Sequence, residues 1–231
     1  MTSSRIRVPG WNTATATAGY RQVRENISIL LAEHASAGER VVPACPQWTV
    51  RDLLAHVTEI CDRVITRFGG EPRPVPEAAS AAGLLRLWNE RGPEADTILA
   101  AEGEGESRGD IMVMDAFTHE LDLRYALGAP LPEAHAAWLR SFEVLVSGLG
   151  ASLKEHGLPG MRIETEGATW IAGTEPVAAV LSGPPADLYR SLAGRRSPAQ
   201  IAALDWLGDP EPWLRAFTWG PFTPPAEAIE G

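Results

Sequence analysis

Asp115, His119 and Asp122 stand four and then three residues apart, so an α-helix would carry a carboxylate, an imidazole and a second carboxylate along one face. Asp at i and His at i+4 lie side by side at a separation that a single metal ion can bridge, as paired ligands on one helix do. The same pair also forms a plain hydrogen bond, and spacing alone does not choose between the two. The stripe continues through Ile111, Met112 and Ala126, so its ends are apolar, while Glu120 and Arg124 fall on the outer face. Burying a carboxylate or imidazole there without a partner would cost on the order of several kcal/mol, so something must satisfy these groups. His56 is the third candidate ligand. It flanks a separate apolar stripe beside Leu53 and Ile60. Three converging ligands leave a fourth position open, the arrangement of a catalytic rather than a structural zinc.

These residues need helices to hold them. Tyr20, Val23, Ile27, Leu30, Leu31 and His34 recur at spacings of three and four and predict an amphipathic helix of about 18 residues, with Arg21, Arg24, Glu25 and Glu33 outside. His34 comes near its C-terminus, where the dipole and local carbonyls explain a histidine. A loop from Val42 to Trp48 follows, in which Cys45 and Trp48 read as packing residues. Thr49 then caps a second helix, with Asp52 three residues on in a variant capping box, and Leu53, Val57, Ile60, Cys61 and Val64 face inward.

Beyond the Pro/Gly-rich stretch 69–76 lies a third helical region, whose Gly92-Pro93 interrupts or kinks it. The fourth helix should run from about Asp110 to Leu127 and stop at Gly128 and Pro130. A fifth begins near Pro132 with an apolar stripe of Trp138, Phe142, Leu145, Val146, Leu149 and Leu153, and His135 and His156 read as surface or cap residues at its two ends. Gly157 closes it and marks the expected boundary between a helical domain, 1–157, and a smaller α+β domain, 158–231. In the latter, 161–165, 168–172 and 177–182 read as strands, followed by short helices ending at Gly194, starting at Ser197 and starting at Asp209-Pro210. The Pro- and Ala-rich tail from Gly220 reads as loose.

Composition narrows the function. A chain of 231 residues, 45% hydrophobic, buries a full core, and a net charge of −10 disfavours phosphate binding, so nucleic acid is not an expected partner. No apolar run approaches the roughly 20 residues that cross a bilayer, and MTSSRIRVPGWNTATATAGY lacks the apolar block of a signal peptide, which points to a cytoplasmic protein without a membrane partner. Two cysteines, Cys45 and Cys61, are too few for a disulfide framework and read as small buried residues.

Three segments resemble the mycothiol-dependent maleylpyruvate isomerase family. Val42-Pro-Ala-Cys-Pro-Gln-Trp-Thr-Val-Arg-Asp-Leu-Leu-Ala-His56 is similar to its P-x-C-P-x-W-T-V-x-D-L-x-x-H stretch. Asp115-Ala-Phe-Thr-His-Glu-Leu-Asp-Leu-Arg-Tyr-Ala-Leu-Gly128 is similar to its acidic-x-x-x-His-x-x-Asp segment. The stretch from Leu181 to Arg196, followed by Gly208-Asp209, looks like its small C-terminal domain. The resemblance implies an α+β fold: a DinB-like up-and-down helical bundle, then a small α/β-sandwich-like domain.

It also implies that His56, Asp115 and His119 hold zinc or another divalent metal, with Asp115 standing where the family usually has Glu, one methylene longer. Asp122 would orient a ligand from behind, or would be a buried partner for a backbone or Arg group. Arg195, or Arg196 beside it, would bind a substrate carboxylate as the catalytic arginine; two arginines at a helix end are also ordinary dipole partners. The implied activity uses mycothiol, a low-molecular-weight thiol. Its thiolate adds to a conjugated cis double bond of a small electrophilic acid, the resulting single bond rotates, and elimination returns the trans product and the thiol. A mycothiol S-transferase, a thiol-independent or metal-free biosynthetic enzyme, and a non-catalytic binding module on the same fold are the alternatives.

Overall fold

The computed structural model describes residues 14–101 and 107–229 and is α+β. Two compact units divide the described residues at Ser141/Phe142.

The first unit holds four long helices. α1 (Ala16–Glu33) starts where Thr15 Oγ1 accepts the Ala18 N–H at 3.1 Å, and it packs on α3 (Ala81–Ala101) and α4 (Ser107–Leu127). α2 (Val50–Arg67) packs on the same two helices. The core between them closes on Trp88, whose indole N–H donates to the Tyr20 hydroxyl at 2.7 Å. Cys61 lies beside that hydroxyl, and burial pushes its thiol upward, which keeps it protonated and unreactive.

Arg24 crosses α3 at Gly92, where a Cβ would meet the guanidinium, and its Nη2 reaches Asp96 Oδ1 at 2.8 Å. α3 runs on through Pro93, so Gly92-Pro93 does not break it as an interruption would; the glycine serves as the passage for Arg24. α4 begins at Ser107, three residues before the expected start. It ends as expected at Gly128, which adopts φ +68° while the Ala129 N–H returns to the Arg124 carbonyl at 2.9 Å.

The segment expected as a loop at 42–48 instead forms a short antiparallel ribbon, β1 (Val41–Val42) with β2 (Cys45–Thr49). A two-stranded ribbon has a free edge on each strand, which is why it tolerates Pro46 inside β2. β2 runs straight into α2 through a full capping box: Thr49 Oγ1 accepts the Asp52 N–H at 3.2 Å, and Asp52 Oδ2 accepts the Thr49 N–H at 2.9 Å and its hydroxyl at 2.8 Å. These bonds hold the Asp52 carboxyl below its ordinary value. A group depressed on folding adds stability above its unfolded pKa, about 3.9, and that contribution is lost as pH falls toward the folded value. Thr49→Ala is therefore expected to cost about 1 kcal/mol at neutral pH. Urea midpoints should show the gap between wild type and variant narrowing below about pH 4; a gap that does not change with pH would mean that the Thr49 hydroxyl contributes nothing to the carboxylate's stabilisation, which would then rest on the backbone N–H of residue 49.

The second unit places α5 (Trp138–Glu155, from Phe142 onward) with a four-stranded sheet of order β4 (Ala168–Ala172), β3 (Gly160–Thr165), β5 (Val177–Ser182), β6 (Asp205–Leu207). β3 and β5 run parallel, and the other pairs are antiparallel. Phe142 stacks on Trp170 at 4.8 Å and meets Tyr189 of α6 (Pro185–Leu192) edge-on at 5.4 Å. Those contacts group α5 with the strands from Phe142, so the compact units part before the boundary expected at Gly157. Ser197 and Gln200 form the expected capping box of α7 (Pro198–Ala202), and α8 (Glu211–Leu214) follows. The tail is not loose at its start: Trp219 and Phe222 exchange backbone hydrogen bonds at 3.0 and 2.8 Å, Phe222 is buried, and the Trp219 indole donates to the Leu192 carbonyl. Glu230 and Gly231 lie outside the described residues.

Two expected surface positions are interior. Glu120 is fully buried, because α4 buries side chains on nearly every side, Val113, Met114, Phe117, Leu121 and Leu123 among them, and has no continuous solvent face; Ile111, expected inward, is 48% exposed. His135 precedes α5, which starts at Trp138 rather than near Pro132. It is buried, stacked on Phe117 at 4.5 Å, with Nδ1 accepting the Ala137 N–H at 2.9 Å. A ring that accepts at Nδ1 carries its proton on Nε2, which lies 3.1 Å from Glu120 Oε2.

Candidate functional site

α2 and α4 pack side by side, and the residues they turn toward each other include His56, from the second turn of α2, and Asp115 and His119, from consecutive turns of α4. One ligand atom from each lies within 4.8 Å of the other two. His56 Nε2 stands 3.5 Å from Asp115 Oδ1, and His119 Nε2 stands 3.8 Å from the same oxygen. Two donors at about 2.1 Å from a tetrahedral zinc stand about 3.4 Å apart, close to the separation of each histidine from Asp115. The side chains of His56 and Asp115 are 27% and 28% exposed, whereas His119 is 7% exposed, so the cluster opens to solvent on one side.

His119 is braced from behind. Its Nδ1 lies 3.2 Å from Oδ2 of Asp122, whose side chain is 2% exposed. An ionised carboxylate only accepts, so the proton sits on Nδ1 and Nε2 turns its lone pair toward Asp115 and His56.

β2 contributes two residues that the sequence reading assigned to packing. The Trp48 ring lies over both histidines, with centroids 4.9 Å from His56 and 5.9 Å from His119, and the two imidazoles meet edge-on at 5.0 Å. Cys45 forms a second group with His119 and Asp122, again within 4.8 Å. The available signal was position: both residues immediately precede the cap of the helix that carries His56.

Arg195 belongs to the other compact unit. There its Nη1 donates to the Ala193 carbonyl at 2.8 Å and its guanidinium lies 5.8 Å from the Phe222 ring centre, while Arg196 pairs with Asp187. His34 and His156 each place Nδ1 2.9 Å from the carbonyl four residues earlier, consistent with local roles at helix ends.

Among the described residues, no helix is long and apolar enough to cross a membrane. No protein-family model and no curated protein matches the sequence. Two solved structures resemble it. The crystal structure of the mycothiol-dependent maleylpyruvate isomerase has a TM-score of 0.49 and 18% identity, covering 78% of this chain and 88% of that one. The crystal structure of a mutant of that isomerase has a TM-score of 0.48 and 16% identity over the same shares.

Proposed function

We propose that this chain is an enzyme that uses a divalent metal, zinc foremost, and a low-molecular-weight thiol, mycothiol, to act on a small conjugated electrophile, as in the cis–trans isomerisation of a maleylpyruvate-like acid in the cytoplasm. The observation that carries the reading is the convergence of His56, Asp115 and His119 at separations suited to a single ion. Their combined charge is −1, so a divalent cation held there keeps a net +1 and an open position. When bound, such a cation lowers the pKa of a thiol toward neutrality.

The chain's own residues do the rest. Asp122 holds His119 in one tautomer, so that its Nε2 is ready to coordinate. Trp48 packs against both imidazoles from β2. The exposed sides of His56 and Asp115 form the approach for thiol and electrophile. Arg195 is proposed to bind a substrate carboxylate. S-transfer is the second reading from the same site, reached when the thiol adduct is released instead of eliminating the thiol.

The test pairs elemental mass spectrometry with turnover of maleylpyruvate in the presence and absence of mycothiol. At least one zinc per chain and thiol-dependent trans product are expected, with Arg195→Ala raising KM. Accumulation of a stable thiol adduct would select S-transfer. Bound substrate without metal or turnover would overturn the reading in favour of a binding module, and turnover indifferent to thiol would favour a thiol-independent enzyme.

A further inference from the structure

Cys45, His119 and Asp122 bring a thiol, an imidazole and a carboxylate within 4.8 Å of one another, with Asp122 at the Nδ1 flank of His119 and Asp115 at its Nε2 flank. The two groups share His119 and differ in chemistry. His56, Asp115 and His119 supply one anion and no sulfur. Cys45 as thiolate and Asp122 as carboxylate supply two anions, which match the charge of a divalent cation, and sulfur selects for thiophilic ions such as zinc, cadmium and cobalt over magnesium or calcium. The 3.2 Å between His119 Nδ1 and Asp122 Oδ2 is also close to the roughly 3.4 Å between two donors on one tetrahedral ion. Asp122 and His119 are buried and Cys45 is half-buried, so the flank is reached from the β2 side. Cys61, the other cysteine, lies in the core beside Tyr20 and is no part of this group.

We infer that Cys45, His119 and Asp122 form a second cation seat, which takes a thiophilic divalent ion at the position otherwise held by the His119 Nδ1 proton. A cation there ties β2 to α4 directly. The seat shares His119 with the proposed catalytic set but does not depend on His56 or Asp115, so the two stand or fall separately.

Cobalt(II) added to the whole metal-stripped protein tests it, because a thiolate ligand gives an intense sulfur-to-cobalt charge-transfer band in the near ultraviolet that nitrogen and oxygen ligands do not. The band is expected in wild type, retained in His56→Ala, and lost in Cys45→Ser while that variant still binds cobalt through the other set. Bound cobalt without the band in wild type would overturn the second seat and leave the first intact. A band that persists in Cys45→Ser, or that vanishes in His56→Ala, would also overturn it: the sulfur would come from elsewhere, or Cys45 would merely extend the first set. Loss of cobalt absorption at all but the sulfur-ligated position in wild type would overturn the His56, Asp115 and His119 set instead.

Discussion

His119→Ala is expected to remove metal from the protein altogether, whereas His56→Ala should empty only the His56, Asp115 and His119 group. His119 is the one residue common to both ligand groups, and its two ring nitrogens face opposite ways, Nε2 toward Asp115 and Nδ1 toward Asp122. Losing an outer partner of a ligand typically costs about 10–100-fold in metal affinity, and losing a direct ligand costs more. The variant also takes the imidazole away from the buried carboxylate of Asp122, which is expected to lower stability. Elemental analysis after dialysis, with thermal unfolding alongside, checks both effects. Full metal content in His119→Ala would refute the site, and full content in His56→Ala would refute the role of His56.

The largest effect on stability should come from Glu120→Ala. The Glu120 carboxylate, fully buried, accepts at Oε1 from Asn26 Nδ2 at 2.9 Å and from Arg124 Nε at 2.9 Å, with Arg124 Nη2 2.8 Å from the same oxygen and His135 Nε2 3.1 Å from Oε2. Truncation leaves a guanidinium and an amide facing a cavity. Breaking a buried ion pair from one side costs about 3–5 kcal/mol. Arg124 is 16% exposed and keeps its bond to the Pro130 carbonyl, which places the expected loss near the lower end, about 3 kcal/mol. That is a large share of the roughly 5–15 kcal/mol that holds a domain together. A fall in the urea midpoint without a change in slope is expected; a loss below about 1 kcal/mol would mean that water or a rearranged Arg124 already satisfies the network.

What the sequence allowed one to read, and what it did not, follows from how far each signal reaches. α1 and α2 carry long periodic stripes and are both found, α2 with the Thr49 cap that its sequence announces. The three long strands of the second unit and the Ser197 cap were legible for the same local reasons. Glu120 was not, because an outward face was assigned from charged residue types, while α4 is enclosed by its neighbours and carries its charges inside. His135 was misplaced by starting α5 at Pro132, the favoured first helical position, when the chain spends 132–137 in a turn that buries the ring. β6 is three residues long, Asp-Trp-Leu, and shows no alternation to detect. At the site, His56 and His119 each stood out beside an apolar stripe. Cys45 and Trp48 did not, since nothing in a Pro-flanked segment announces that it will fold back as a ribbon against the two histidines.

The direct junction of β2 and α2 has a consequence for how this protein can vary. Cys45, Trp48, the Thr49 cap and His56 ride on one uninterrupted stretch of backbone with no loop to absorb a change of length. One residue inserted between Thr49 and His56 would swing the imidazole by about 100° and shift it by about 1.5 Å along the helix, away from Asp115. Side chains along this stretch can be exchanged one at a time, but its residue count is fixed, and insertions and deletions should accumulate elsewhere in the chain.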